Sequence, residues 1–204
     1  MKIKLRILLF SIVVFGFCSV YAQNVSLYSQ FNGKYDFVFV GNTMNLGENN
    51  TTAGCSDLLL TSSSANLNLS AAQTISGVYL YWAGSGLGDF DVKLNGTSIT
   101  AERTFTNISV TSGLNYFSAF ANVTDLVSTT GNGTYTLSEL DLSETLNTIP
   151  GYCNNRTNFA GWSLAVIYND PSLPLNQINV YDGLQSIPNT LSITLTSLNV
   201  INTA

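Results

Sequence analysis

Twelve carboxylates and a complete absence of histidine set the chemistry open to this 204-residue chain. Asp89 and Asp91 stand two apart in Asp89-Phe90-Asp91-Val92-Lys93-Leu94-Asn95-Gly96, so on a strand they share a face. With Asp36, Asp57, Glu102 and Asp182 elsewhere, such a pair has the oxygen ligands for a structural Ca²⁺ ion or the acid and base of a glycosidase. The alternation around the pair favours the solvated face of an exposed sheet instead, and no Asp-x-Asp-x-Asp-Gly loop occurs. Ser–His–Asp or Cys–His catalysis is excluded by the missing histidine, and there is no Gly-x-Ser-x-Gly elbow. Gly84-Ser85-Gly86-Leu87-Gly88 lacks the Lys-Ser/Thr ending of a phosphate loop and no helical pattern follows it, so it reads as a flexible corner. No residue set amounts to a catalytic site. The expectation is a protein that is not an enzyme, with Ca²⁺ the one cofactor left open.

The aromatic residues offer a second chemistry. Tyr79, Tyr81, Trp82 and Trp162 have the rings to stack on sugars, but in a β-rich chain large aromatics more often hold sheets together. Tyr28, Tyr35, Tyr152 and Tyr181 lie nearer loops and are the better candidates for an exposed binding surface, facing a surface glycan or a protein ligand.

The first 22 residues read as a cleaved signal peptide. Lys2, Lys4 and Arg6 precede an apolar run from Ile7 to Phe17, and Val20-Tyr21-Ala22 forms a small-residue cleavage site before Gln23. The run is short of the roughly 20 residues a membrane span needs. Bulky Phe17 before Cys18 makes a poor lipoprotein site. The expectation is a secreted or cell-surface protein with no membrane insertion after cleavage.

The formal net charge is −5, and beyond the leader the cations are only Lys34, Lys93, Arg103 and Arg156. Such a surface repels nucleic acid and anionic membrane. Cys55 and Cys153 remain, and in an exported protein an isolated pair points to a disulfide. Free thiols or metal ligands are the competing reading, with zinc disfavoured by the lack of histidine and of any Cys-x-x-Cys. A disulfide here closes a loop of roughly a hundred residues and contributes about 4–5 kcal/mol as an upper figure. Reduction of the intact protein should then add two hydrogens to its mass, and an unchanged mass would remove the bridge.

Charged residues make up only 9% of the chain, and Asn, Ser, Thr and Gly fill the polar positions, which suits strands better than helices. Gly77-Val78-Tyr79-Leu80-Tyr81-Trp82-Ala83-Gly84 and Gly161-Trp162-Ser163-Leu164-Ala165-Val166-Ile167-Tyr168 are apolar on both sides, as central strands covered on each face must be. Phe90, Val92 and Leu94 alternate with polar residues before Asn95-Gly96, the strongest short hairpin signal. The returning strand is expected over Ser98 to Phe105. Further strands are expected over Tyr35–Val40, Ala65–Leu69, Thr134–Leu140, Asn179–Asp182 and Leu191–Leu198, with a strand from Tyr116 running into an Asn- or Thr-capped turn. Asn45–Ser56 and Asn147–Asn158 read as loops. The sum is an all-β, two-layer antiparallel sandwich of jelly-roll type over residues 23–204, one domain, with closing strands missing if the chain is a fragment.

Val78-Tyr79-Leu80-Tyr81-Trp82-Ala83-Gly84, Phe90 to Gly96, Phe117 to Val127 and the Gly161-Trp162-Ser163 to Tyr168-Asn169-Asp170-Pro171 block together resemble the N-terminal region of large secreted surface proteins of the Bacteroidetes. Those proteins are gliding-motility-associated or type IX secretion substrates with adhesin-like β-domains. The resemblance implies a non-catalytic module that presents loops for binding or adhesion. A carbohydrate-binding module associated with polysaccharide degradation is the alternative.

Overall fold

The computed structural model of the protein describes residues 23–47, 59–185 and 192–198. The chain runs through β1 (Gln23–Gly33), β2 (Tyr35–Thr43), β3 (Ser62–Leu67) and β4 (Thr74–Ser85). It continues as β5 (Asp91–Leu94), β6 (Thr97–Thr100), β7 (Arg103–Ile108) and β8 (Asn115–Asn122). Helix α1 (Thr124–Thr130) leads to β9 (Gly133–Ser138), and α2 (Ser143–Thr148) and α3 (Gly151–Asn154) precede β10 (Ala160–Asn169) and β11 (Asn176–Leu184).

Among the described residues the strands form three antiparallel sheets, ordered β2-β10-β4-β8-β7, β3-β9-β5-β6 and β1-β11. With β7 set aside as an added edge, the first of the eight sandwich strands pairs with the last (β2 with β10), the second with the seventh (β3 with β9), and so inward through β4–β8 to β5–β6. A long hairpin rolled upon itself gives this nesting, which is the jelly-roll order. The β1–β11 ribbon continues the β2–β10 pair and folds back over the outer face of the five-stranded sheet. The fold is held there by Asn176, whose side chain accepts from the Tyr35 N–H (3.2 Å) and donates to the Tyr35 carbonyl (2.5 Å).

The ribbon explains why β4 and β10 carry almost no polar face. Strand side chains alternate, so Val78, Leu80 and Trp82 point inward with Trp162, Leu164 and Val166, and meet Val92, Leu94, Tyr135 and Leu137 of the four-stranded sheet. Tyr79, Ala165 and Ile167 point outward, join Phe105 and Phe120, and are covered by Tyr28, Phe31, Ile178 and Val180 of the ribbon. The five-stranded sheet is thus the middle layer of two apolar interfaces. Trp82 and Trp162 face each other across the β4–β10 pairing and are 1% and 5% exposed, as core residues.

Asn95 (φ 50°) and Gly96 (φ 79°) form the expected hairpin turn between β5 and β6. The single strand expected over Ser98–Phe105 is two strands in two sheets. Ala101 donates its N–H to the Phe90 carbonyl and Glu102 donates to the Phe120 carbonyl, both at 2.8 Å, so the backbone changes partner sheets within two residues. The Asn147–Asn158 stretch, expected as a loop, holds the last two residues of α2, all of α3 and a packed return. Residues 192–198 form no strand, in contrast to expectation. The carbonyls of Thr196 and Ser197 are taken by the side chains of Tyr181, Asn179 and Gln30 rather than by a ladder. Residues 1–22, where a signal peptide is expected, lie outside the described residues with Cys55 and Asp57, as does all of the Asn45–Ser56 loop beyond residue 47.

Candidate binding face

The outer face of the five-stranded sheet divides into a part sealed by the ribbon and a part left open. At the sealed end, β7 presents Arg103 opposite Phe120 of β8. Its guanidinium donates to Asp182 Oδ2 of β11 at 2.8 Å and lies 2.7 Å from Oδ1. It also sits over the rings of Tyr28 and Phe105, 5.3 Å from each centroid. Burial raises the Asp182 carboxyl above the ordinary carboxylate range, and the charge and hydrogen bond of Arg103 offset part of that rise. The Tyr81 hydroxyl is buried nearby and has no hydrogen-bond partner among the described residues. Desolvation, followed by the charge of Asp182, pushes its phenol well above the usual tyrosine value. An ionised tyrosine is therefore not available here.

Beyond Tyr81 the outer face is made of small residues. Register places Ser163 between Gly41 and Tyr81, and Gly161 between Thr43 and Ala83. Their shortness leaves an open trough of about 440 Å³, lined by Asn42, Thr43, Tyr81, Ala83, Phe159, Gly161 and Ser163. Gly41 accepts no substitute at this point, because a Cβ would stand 2.1 Å from the Trp162 carbonyl oxygen. On the other side of Tyr81 a smaller groove of about 250 Å³ runs between Phe37 and Phe39 of β2 and the Ile178–Tyr181 stretch of β11. Phe37 and Phe39 are 50% and 61% exposed. The open face therefore pairs aromatic walls with short polar groups, a surface suited to ring stacking and hydrogen bonding.

The structure sorts the four candidate tyrosines. Tyr28 is half-buried in the outer interface, packed edge-on against Tyr79 and Phe120. Tyr35 is half-buried against Phe31. Tyr181 lines the smaller groove and donates its hydroxyl to the Thr196 carbonyl. Tyr152 does not belong on a binding surface: it is fully buried in the main core, its ring edge-on to Tyr116 and its hydroxyl donating to the Asn115 carbonyl at 2.6 Å. The short turn of α3 aims it inward. Cys153, at the end of α3, is half-buried and packs against the same core.

Most carboxylates have structural duties. Asp89 accepts from the Asp141 N–H through Oδ2 (2.9 Å), while its backbone carbonyl takes the Trp82 indole N–H (2.8 Å). Asp91 accepts from the Thr100 hydroxyl at 2.6 Å. Asp141 and Asp170 lie below the ordinary carboxylate range because Ser143 and Ser172, respectively, hydrogen-bond to them. Glu139 pairs with Lys93 at 2.7 Å. Among the described residues no three Cys, Asp or Glu side chains converge as a metal site. Asp89 and Asp91 thus serve the corner before β5 and the β5–β6 pair.

Phe37, Phe39, Asn42, Phe159 and Ser163 are the residues of the open face that sequence reasoning did not select. The one signal for them was Phe37 and Phe39 recurring at period two in Tyr35–Val40. Comparison with family models, with curated proteins and with solved structures gives no match.

Proposed function

We propose that this chain is a non-catalytic, exported β-sandwich module of a cell-surface or adhesin-like protein, and that it holds its ligand on the open part of the outer face. The observation that carries the reading is the trough between Tyr81 and Phe159, floored by Gly161, Ser163 and Ala83. The leader-like N-terminus and the resemblance to secreted Bacteroidetes surface proteins support export. The structural employment of Asp89, Asp91, Asp141 and Asp170 supports the absence of catalysis. The loops are a weaker basis for binding, since the second of them is packed around buried Tyr152 and Leu146.

A carbohydrate ligand is the second reading, favoured by two aromatic rings beside the short polar side chains of Asn42, Thr43 and Ser163. A glycan array on the purified protein tests it. Phe159, at the trough's rim and 38% exposed, is the residue to change. Saturable sugar binding weakened about tenfold or more in Phe159→Ala, a loss of at least ~1.4 kcal/mol, with the melting temperature unchanged, supports the trough as a sugar site. Binding that Phe159→Ala leaves intact moves the site elsewhere, and silence on glycans with binding to an immobilised host protein favours protein adhesion.

A further inference from the structure

Strand β2 is the outer edge of the middle sheet, and among the described residues no strand pairs with its free side. Even-numbered residues of β2 bond to β10. The odd-numbered N–H groups face away, and three of them are met by side chains: Tyr35 by Asn176, Phe37 by Asp36 at 2.8 Å and Thr43 by Asn42 at 2.8 Å. Among the described residues the N–H groups of Phe39 and Gly41 in the middle of the strand meet no such cap, and both residues are exposed. Native sheet edges are ordinarily blunted by Lys, Pro or a bulge. From Phe37 to Gly41 this edge has none of these, and its pairing with β10 runs without a register shift.

We propose that β2 pairs with β2 of a second copy of this chain, antiparallel about a two-fold axis at Phe39, joining two five-stranded sheets edge to edge. The sequence is self-complementary in that register. Phe39 meets Phe39, Val38 meets Val40 on the inner face, and Phe37 of each copy lies over Gly41 of the other, where no side chain competes for the space. No like charges oppose, since Asp36 falls opposite Asn42. The 39–39 pair exchanges N–H···O bonds and each Gly41 N–H gives to a Phe37 carbonyl of the other copy, bonds that the isolated edge leaves unmade, while the Phe37 N–H exchanges Asp36 Oδ1 for the Gly41 carbonyl and two exposed phenylalanines per copy leave water. A two-fold arrangement also closes on itself, so the edge is consumed rather than propagated. The partner's Phe37 then stands at Gly41, the register neighbour of trough-lining Ser163.

Sedimentation velocity over a wide concentration range, with oxidative cross-linking, tests the arrangement. Phe39→Pro removes one outward N–H without touching the β10 ladder, and proline is tolerated at such edge positions. The expected result is a wild-type dimer whose dissociation constant rises at least tenfold in Phe39→Pro. Phe39→Cys should cross-link two chains, because paired Cα atoms at such a position lie about 5.5 Å apart, within the disulfide range of roughly 4.4–6.8 Å. Leu175→Cys, 68% exposed beside Asn176 at the Tyr35 end of β2, should not, because in this register the two copies of that position stand at opposite ends of the paired strands. A monomer at all concentrations, or a dimer that Phe39→Pro leaves unchanged and Phe39→Cys fails to trap, overturns the proposal. Should Phe39→Pro fail to fold, the Phe39→Cys and Leu175→Cys pair decides alone.

Discussion

Truncating Trp82 to alanine should lower stability by about 3–5 kcal/mol, the cost of emptying a large, rigid core site. Trp82 is 1% exposed on the central strand of the middle sheet, with Trp162 across one ladder and Ala119 across the other. Ala119 is too small to collapse into the space, and Trp162 is held by its own indole bond to Ser63 Oγ at 2.9 Å. The Trp82 indole also donates to the Asp89 carbonyl at 2.8 Å, tying the glycine-rich corner after β4 to the core. Trp82→Phe separates the contributions: it restores much of the volume and loses only the bond, worth about 1 kcal/mol. Urea unfolding monitored on all three proteins provides the measurement. A Trp82→Ala loss below ~1 kcal/mol would show that the sheets do not pack through this residue.

Arg103→Met should cost about 3 kcal/mol, because it leaves the Asp182 carboxylate buried without its counter-charge. The low end of the range for such losses applies, since the Arg103 side chain is itself 32% exposed while that of Asp182 is 3% exposed. The pH dependence distinguishes this from simple loss of packing. In the wild type burial already raises Asp182 and Arg103 restrains the rise. Without Arg103 the folded-state value moves higher still, above that of the unfolded chain. The folded state then binds more protons than the unfolded one across that interval, so the variant's stability falls as pH rises through it and recovers as pH drops. Asp141 and Asp170, held below the ordinary range, act in the opposite sense and weaken both proteins in acid. The informative quantity is therefore the difference between the two proteins. It should be largest near neutrality and shrink towards pH 4, and a difference constant with pH would assign the whole effect to lost stacking on Tyr28 and Phe105.

The sandwich was legible because its central strands advertise burial on both sides. Val78 to Trp82 and Trp162 to Ile167 leave no polar row, and only a middle strand survives that. Asn95-Gly96 fixed its turn through the positive φ that both positions need. The break between β6 and β7 was not legible. Thr97 to Ile108 contains no proline or glycine, and the change of sheet is made by backbone bonds from Ala101 and Glu102 to strands distant in sequence. The short helices escaped notice for a different reason: six or four residues, as in α2 and α3, are too few to show a 3.6-residue period. The capped turn after β8 was correctly placed, with Asn122 Oδ1 accepting from the Thr124 N–H (3.0 Å) and hydroxyl (2.6 Å), but it opens a helix.

The open face was harder to foresee than the core. Its floor is built from Ser163, Gly161 and Ala83, residues whose only distinction is being short, on two strands whose register the local sequence does not reveal. Tyr152 misled because Pro150 and Gly151 make its surroundings look like a surface turn, while a single helical turn suffices to reverse the side chain. Buried aromatic positions are announced by their neighbours along the strand. An absence of side chains is announced only by neighbours across it.

The β1–β11 ribbon also determines how the fold would respond to a pull. Gln23 and Leu184 are register partners, so the start of β1 and the end of β11 lie side by side at one end of the ribbon. A load applied across those two residues strains the ladder one rung at a time from that end, as in opening a zipper, instead of shearing all rungs together. The ribbon would therefore peel at low force and uncover Phe105, Phe120 and Ile167, while the eight nested strands beneath it remain intact.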